Sequence, residues 1–131
     1  VSEKLSPRKS PCATCPYRLD VPSGVWDEEE YAKLPAYDRP TGEQPVRVFM
    51  CHQQDGKLCA GWCAVHAEES LALRLGVSFG KVDPSAINYQ TTVPLHPSGT
   101  AAAEHGMKDY TNPPEKAREA ITKIVRKQSM T

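Results

Sequence analysis

Apolar and polar positions along the 131-residue chain sort into a few short elements separated by long irregular stretches. Residues 1–10 are polar and without periodicity, so they are expected to form a flexible tail ahead of a single domain over 11–131. Residues 11–25 hold prolines and glycines at close intervals ("PCATCP", "VPSG") and read as a turn-rich loop. Asp27 is placed to cap a short helix over "EEEYAKL", where three carboxylates in the first turn suit the helix dipole and Pro35 ends it. Residues 35–45 read as loop. "VRVFM", 46–50, alternates and is β-branched, so it predicts a short strand leading into Cys51. Asp55-Gly56 marks a turn. "AGWCAVHAEESLALRLG" predicts one central helix closed by Gly76. Its apolar residues Trp62, Val65, Leu71, Leu73 and Leu75 do not form one clean stripe. A single helical turn is expected after Asp83, and Ser98 is expected to cap an Ala-rich helix ending at Gly106. The clearest helix is the last: Asn112 caps, Pro113 takes the first position and Glu115 completes a capping pattern. Ala117, Ala120, Ile121, Ile124 and Val125 would form its apolar face.

Composition sharpens this picture. Only 39% of the chain is apolar, and it carries 12 prolines and 8 glycines. A loop-rich domain with a small core gains much from a cross-link. Sixteen basic residues balance sixteen acidic ones, so the net charge is zero and no whole-surface attraction for nucleic acid exists. No apolar run approaches membrane-spanning length, and "VSEKLSPRKS" lacks the apolar centre of a signal peptide. The expectation is therefore a cytoplasmic protein without membrane association. Thiols stay reduced there, and clustered cysteines are more often metal ligands than disulfides.

Five cysteines carry the chemistry. "PCATCPYR" holds Cys12 and Cys15 at C-x-x-C spacing, a turn that aims two sulfurs at one point and lets backbone amides bond thiolates. After 35 intervening residues comes "CHQQDGKLCAGWCAVH" with Cys51, Cys59 and Cys63. Cys59 falls where the central helix begins, and a helix N-terminus favours thiolate. Cys63 and His66 share a helix face with Cys59. A closed site needs four ligands. The set chosen is Cys12, Cys15, Cys51 and Cys59, with Cys63 and His66 in reserve. The 2–35–7 spacing does not match a zinc ribbon, and Cys15-Pro16 has the Cys-Pro step that closes many ferredoxin cluster motifs. Tyr17, Trp26 and Trp62 offer an apolar wall. These features favour a [4Fe–4S] cluster over structural Zn2+. Chance thiols, a disulfide and a thioredoxin-like redox motif are the competing readings. The last wants a strand before it and a helix after it, and here proline-rich loop surrounds it.

"PCATCPYRLDVPSGVW" together with "CHQQDGKLCAGW" resembles an uncharacterised family of small proteins from actinobacteria and their phages, over most of the chain from Pro11 to the last helix. The resemblance implies a source and little mechanism. A weaker resemblance is to the WhiB-like iron–sulfur regulators, which use four cysteines and a "GVWGG" turn. This chain has Gly24-Val25-Trp26 without the following glycines, and its C-x-x-C comes first. That likeness implies a shared device rather than membership.

Other chemistry is sparser. Cys51 with His52, or Cys63 with His66, offers a nucleophile pair, but no oxyanion motif stands near. His96 and His105 read as solvated. Arg18, Asp20 and Asp55 read as turn residues before site neighbours. Lys116, Arg118, Lys123, Arg126 and Lys127 make the last helix basic, as a solvated face or a phosphate-facing one. The expected fold is mainly α with irregular loops and a short β element, a small single domain organised around a four-cysteine metal centre. The expected function is a metal-bound regulatory or protein-interaction module, with host transcription machinery a candidate partner. The alternatives are a redox or electron-transfer protein and a zinc-stabilised nucleic-acid binder. Without an open acid/base constellation, an enzyme is the less favoured class.

Overall fold

The computed structural model describes residues 4–51, 53–54, 56–108 and 113–129, the last four as backbone only. In chain order it contains β1 (Ser6–Pro7), α1 (Glu28–Ala32), β2 (Lys57–Leu58), α2 (Ala60–His66), α3 (Leu71–Ser78), α4 (Gly99–Met107) and α5 (Glu115–Ser129), with 3-10 turns at Pro35–Asp38, Thr41–Glu43 and Pro84–Ala86. The architecture is a small, mainly helical domain with long loops and a short two-stranded parallel sheet. No described helix is long and apolar enough to cross a membrane.

The sheet differs from the expected strand. β1 pairs with β2 in the register Ser6 to Lys57 and Pro7 to Leu58. The amide of Leu5 bonds the Lys81 carbonyl at 2.9 Å, and the amide of Asp83 bonds the Leu5 carbonyl at 2.7 Å. Part of the expected flexible tail is therefore paired backbone. On its other side β2 meets Met50. Cys51 N–H donates to Lys57 at 2.8 Å and Cys59 N–H donates to Phe49 at 2.8 Å. Residues 49–51 and 57–59 thus make a small hairpin, turned by Gly56 at φ +77°. The alternating stretch 46–50 joins only through its end, because residues 46 and 47 bend rather than run on as extended chain.

The expected central helix is two helices. Ser70 breaks it: its amide bonds the His66 carbonyl at 2.9 Å, and its hydroxyl accepts from Leu73 N–H at 3.2 Å as the cap of α3. The absence of one apolar stripe was the sign, since α2 buries Trp62, Cys63 and His66 while α3 buries Ala72 and Leu73. Asp27, Asp83 and Ser98 stand at the predicted caps, although the Asp27 side chain makes no capping bond. The Asn112 cap lies outside the described residues.

Packing centres on α4, which lies against α1 and the Pro35–Asp38 turn. A Cβ at Gly106 would collide with the Tyr31 ring and one at Gly99 with the Leu34 carbonyl, so close helix approach rests on these glycines. Tyr17, Tyr31, Leu34, Leu58, Trp62 and Leu73 fill the core. Tyr37 meets Trp62 edge to face with ring centres 5.3 Å apart. A second, smaller cluster seats α5: Ala117 is buried with Val21 and Val25, and Trp26, Ala120, Ile121 and Ile124 pack around them. Val125, expected on that face, is 56% exposed at its edge.

Candidate metal centre

Two turns and one helix start bring four thiols into the core. The C-x-x-C stretch folds as consecutive turns, with Cys15 N–H on the Cys12 carbonyl at 3.0 Å and Arg18 N–H on the Cys15 carbonyl at 3.1 Å. Arg18 fixes the far end of this loop. Its Nε and Nη2 each hold an Asp20 carboxylate oxygen at 2.8 Å, and its Nη1 reaches the Pro11 carbonyl at 3.2 Å. Asp20 and Arg18 are thus a clamp on the loop. Cys51 ends the first arm of the hairpin, and Cys59 ends the second and caps α2.

Cys12, Cys15, Cys51, Cys59 and Cys63 are all buried and reduced. The thiols come in pairs. Cys15 and Cys59 lie with sulfurs 3.7 Å apart, across 44 positions of sequence. Cys12 and Cys51 form the other pair, each the largest influence on the ionisation of its partner. Charge coupling links the pairs, because Cys12 and Cys51 are both sensitive to or felt by Cys15. Among the described residues, no group of three or more His, Cys, Asp or Glu side chains stands ready-made for a metal ion.

The electrostatics set these four apart. Cys51 is held below the usual thiol range, first by the Cys12 side chain and then, against burial, by the amides of Gln53 and Gln54 and the charge of Arg8. Cys15 is also lowered, first by Cys59 and then, against burial, by the amides of Tyr17 and Gly61. Their partners move the other way. Cys12 is raised by Cys51 and by burial, with the Thr14 amide opposing, and Cys59 is raised by Cys15 and by burial, with the Trp62 amide opposing. Backbone N–H groups beside these sulfurs thus favour the thiolate. Two of these contacts are Gln53 N–H to Cys51 Sγ at 3.4 Å and Trp62 N–H to Cys59 Sγ at 3.5 Å. Within each pair the two thiols are pushed in opposite directions, because a proton held between two sulfurs favours charge on one and not on both.

The reserve ligands are placed differently. Burial alone pushes the Cys63 thiol up to about 12, with no neighbouring sulfur or amide contributing. His66 is hydrogen-bonded at one nitrogen, Nε2 lying 2.9 Å from the Tyr17 hydroxyl, while Nδ1 lies 4.0 Å from Asp38. Burial lowers its pKa to about 4. Both residues serve the packing beside the thiols. The apolar wall is present, with Tyr17 and Trp62 fully buried and Trp26 donating from Nε1 to the Thr14 carbonyl at 2.8 Å.

Sequence reasoning missed several neighbours. Gly61 carries no chemistry of its own, yet a Cβ there would stand 2.6 Å from Cys15 Sγ and 2.8 Å from Tyr17 Cβ. Gln53 and Thr14 bond one another over the Cys12–Cys51 side. His96 and His105 are not solvated: His96 is 9% exposed, its ring centre 5.0 Å from that of His105, whose Nε2 donates to the Val21 carbonyl at 2.7 Å. The loop carrying the first two thiols needs partners on α4, and His105 is one. His52 and Asp55 lie outside the described residues, as do the side chains of Arg126 and Lys127. Lys116, Arg118 and Lys123 lie on the exposed side of α5.

No curated protein and no solved structure matches the chain. A model for a family of unknown function, DUF6283, matches residues 7–126, which takes in every thiol described above, and the chain belongs to that family.

Proposed function

We propose that Cys12, Cys15, Cys51 and Cys59 bind one metal centre, a [4Fe–4S] cluster in preference to Zn2+, and that the protein acts as a regulatory or protein-interaction module built on it. The observation that carries this reading is that thiols from separate stretches of the chain meet in the core, with Cys15 Sγ 3.7 Å from Cys59 Sγ and backbone N–H groups on the sulfurs of Cys51 and Cys59. Amides aimed at sulfur stabilise negative charge, and a centre with four thiolates concentrates that charge. A bound cation would displace the thiol protons and draw the pairs into one set. The donor set is all sulfur, which suits iron–sulfur clusters and zinc alike. The buried Tyr17 and Trp62 beside it would keep water from a cluster, an advantage that zinc does not need. Bound, the centre supplies either a one-electron site or a fixed cross-link between the N-terminal loop and α2.

Purification without oxygen tests the reading. A brown protein with iron and acid-labile sulfide is expected. A colourless protein with one zinc per chain would keep the ligand set and change the metal. A protein that takes up neither metal would leave the thiols to a redox or catalytic explanation.

A further inference from the structure

A groove of about 410 Å³ lies on the molecule away from the thiols, between residues 46–48 and α3. Val46 and Val48 form one wall, Leu75 and Phe79 the other, and Arg47 and Lys81 are the charged residues of its lining. Phe79 is 72% exposed and Val46 69% exposed, so two of the large apolar residues most open to water flank one cleft. Residues 46–48 have the alternating, β-branched sequence of a strand, yet residues 46 and 47 lie in a bend and the Arg47 carbonyl accepts from the Tyr37 hydroxyl at 2.8 Å, so the segment offers its side chains rather than a strand edge. Among the described residues, the backbone amides of Val46 and Val48 have no hydrogen-bond partner.

We propose that this groove docks an extended segment of a partner protein that alternates apolar and acidic residues. Its apolar side chains would lie between Val46 and Phe79, and its carboxylates would face Arg47 and Lys81. A second copy of this chain fits poorly. The carboxylates of α1 flank Tyr31, which is already buried, the exposed Leu19 has its neighbouring carboxylate Asp20 held by Arg18, and the exposed Val125 of α5 shares a helix face with Arg118, which the groove's cations repel. The inference stands on the groove alone and does not depend on what the thiols bind.

The probes are two blocked hexapeptides, Glu-Leu-Glu-Val-Glu-Leu and its lysine counterpart, titrated into the full-length protein and followed by amide chemical shifts. The acidic peptide is expected to bind saturably with shifts at 46–48 and along α3, and the lysine peptide about tenfold more weakly. Phe79→Ser, at an exposed position, should weaken the acidic peptide about tenfold with the metal content unchanged. Arg47→Glu combined with Lys81→Glu should reverse the preference. Equal binding of both peptides, no saturable binding at millimolar peptide, or shifts outside the groove would overturn the proposal. So would concentration-dependent dimerisation abolished by Phe79→Ser, which would make a second copy the occupant.

Discussion

Gly61 decides how near the first cysteine loop can come to α2. Gly61→Ala would press a methyl group onto Cys15 Sγ and Tyr17 Cβ. We expect a loss of about 1–3 kcal/mol in chemical denaturation together with reduced metal occupancy. The cysteines themselves divide into two kinds. Serine at Cys12, Cys15, Cys51 or Cys59 should each lower the metal content of anaerobically purified protein, and full occupancy in two of these variants would show the ligand set to be wrong. Cys63→Ala should retain the metal and cost about 1 kcal/mol, since only burial acts on that thiol. His66 adds a pH dependence. Its pKa falls from 6.5 in the unfolded chain to about 4 in the folded one. Between those values the unfolded chain takes up a proton that the folded chain refuses, so acidification across this window destabilises the protein. The loss is on the order of 3 kcal/mol and ends below about pH 4. Urea melts at pH 7 and pH 5 should show it, and His66→Gln should flatten the difference.

At the scale of elements, α5 and the first cysteine loop stand or fall together. Read alone, α5 has an apolar face able to hold a helix. In the structure that face rests on Val21, Val25 and Trp26, all from or beside the loop that carries Cys12 and Cys15. A helix of 15 residues is marginal without a seat. Removing the metal should therefore abolish hydrogen-exchange protection over 12–26 and lower it over 115–125 as well, while α4 stays protected. Persistent protection of 12–26 in metal-free protein would mean that the centre does not order the loop. Much of this layer was legible in the sequence. Asp27 marked a helix start through the carboxylates that follow it and makes no capping bond itself, while Ser98 and Asp83 marked theirs because capping is local chemistry. The spacing of Cys12 and Cys15 marked a turn for the same reason. The failures were non-local. Ser70 reads as an ordinary helix residue until α2 and α3 need different buried faces. Strand pairing at Ser6–Pro7 depends on β2, whose partner residues lie 51 positions further along the chain. His105 looks solvated until Val21 is brought to it.

For the whole molecule, the distribution of partners matters more than any one contact. β2 joins the N-terminal segment to the hairpin bearing Cys51 and Cys59, and α4 joins the cysteine loop to α1. The thiols sit where these two connections meet, so a metal there would lock together parts that are far apart in the chain. That separation has a consequence in time. The ribosome adds roughly 5–20 residues per second, and Cys15 precedes Cys59 by 44 positions. For a few seconds the first two sulfurs exist without the last, exposed to oxidants and to any competing cation. The order of manufacture then favours supplying iron or zinc while the chain is being made. Cells given the metal during expression should yield more loaded protein than the same amount of metal added later to purified apo-protein. Equal loading by both routes would show that the half-built site comes to no harm while it waits.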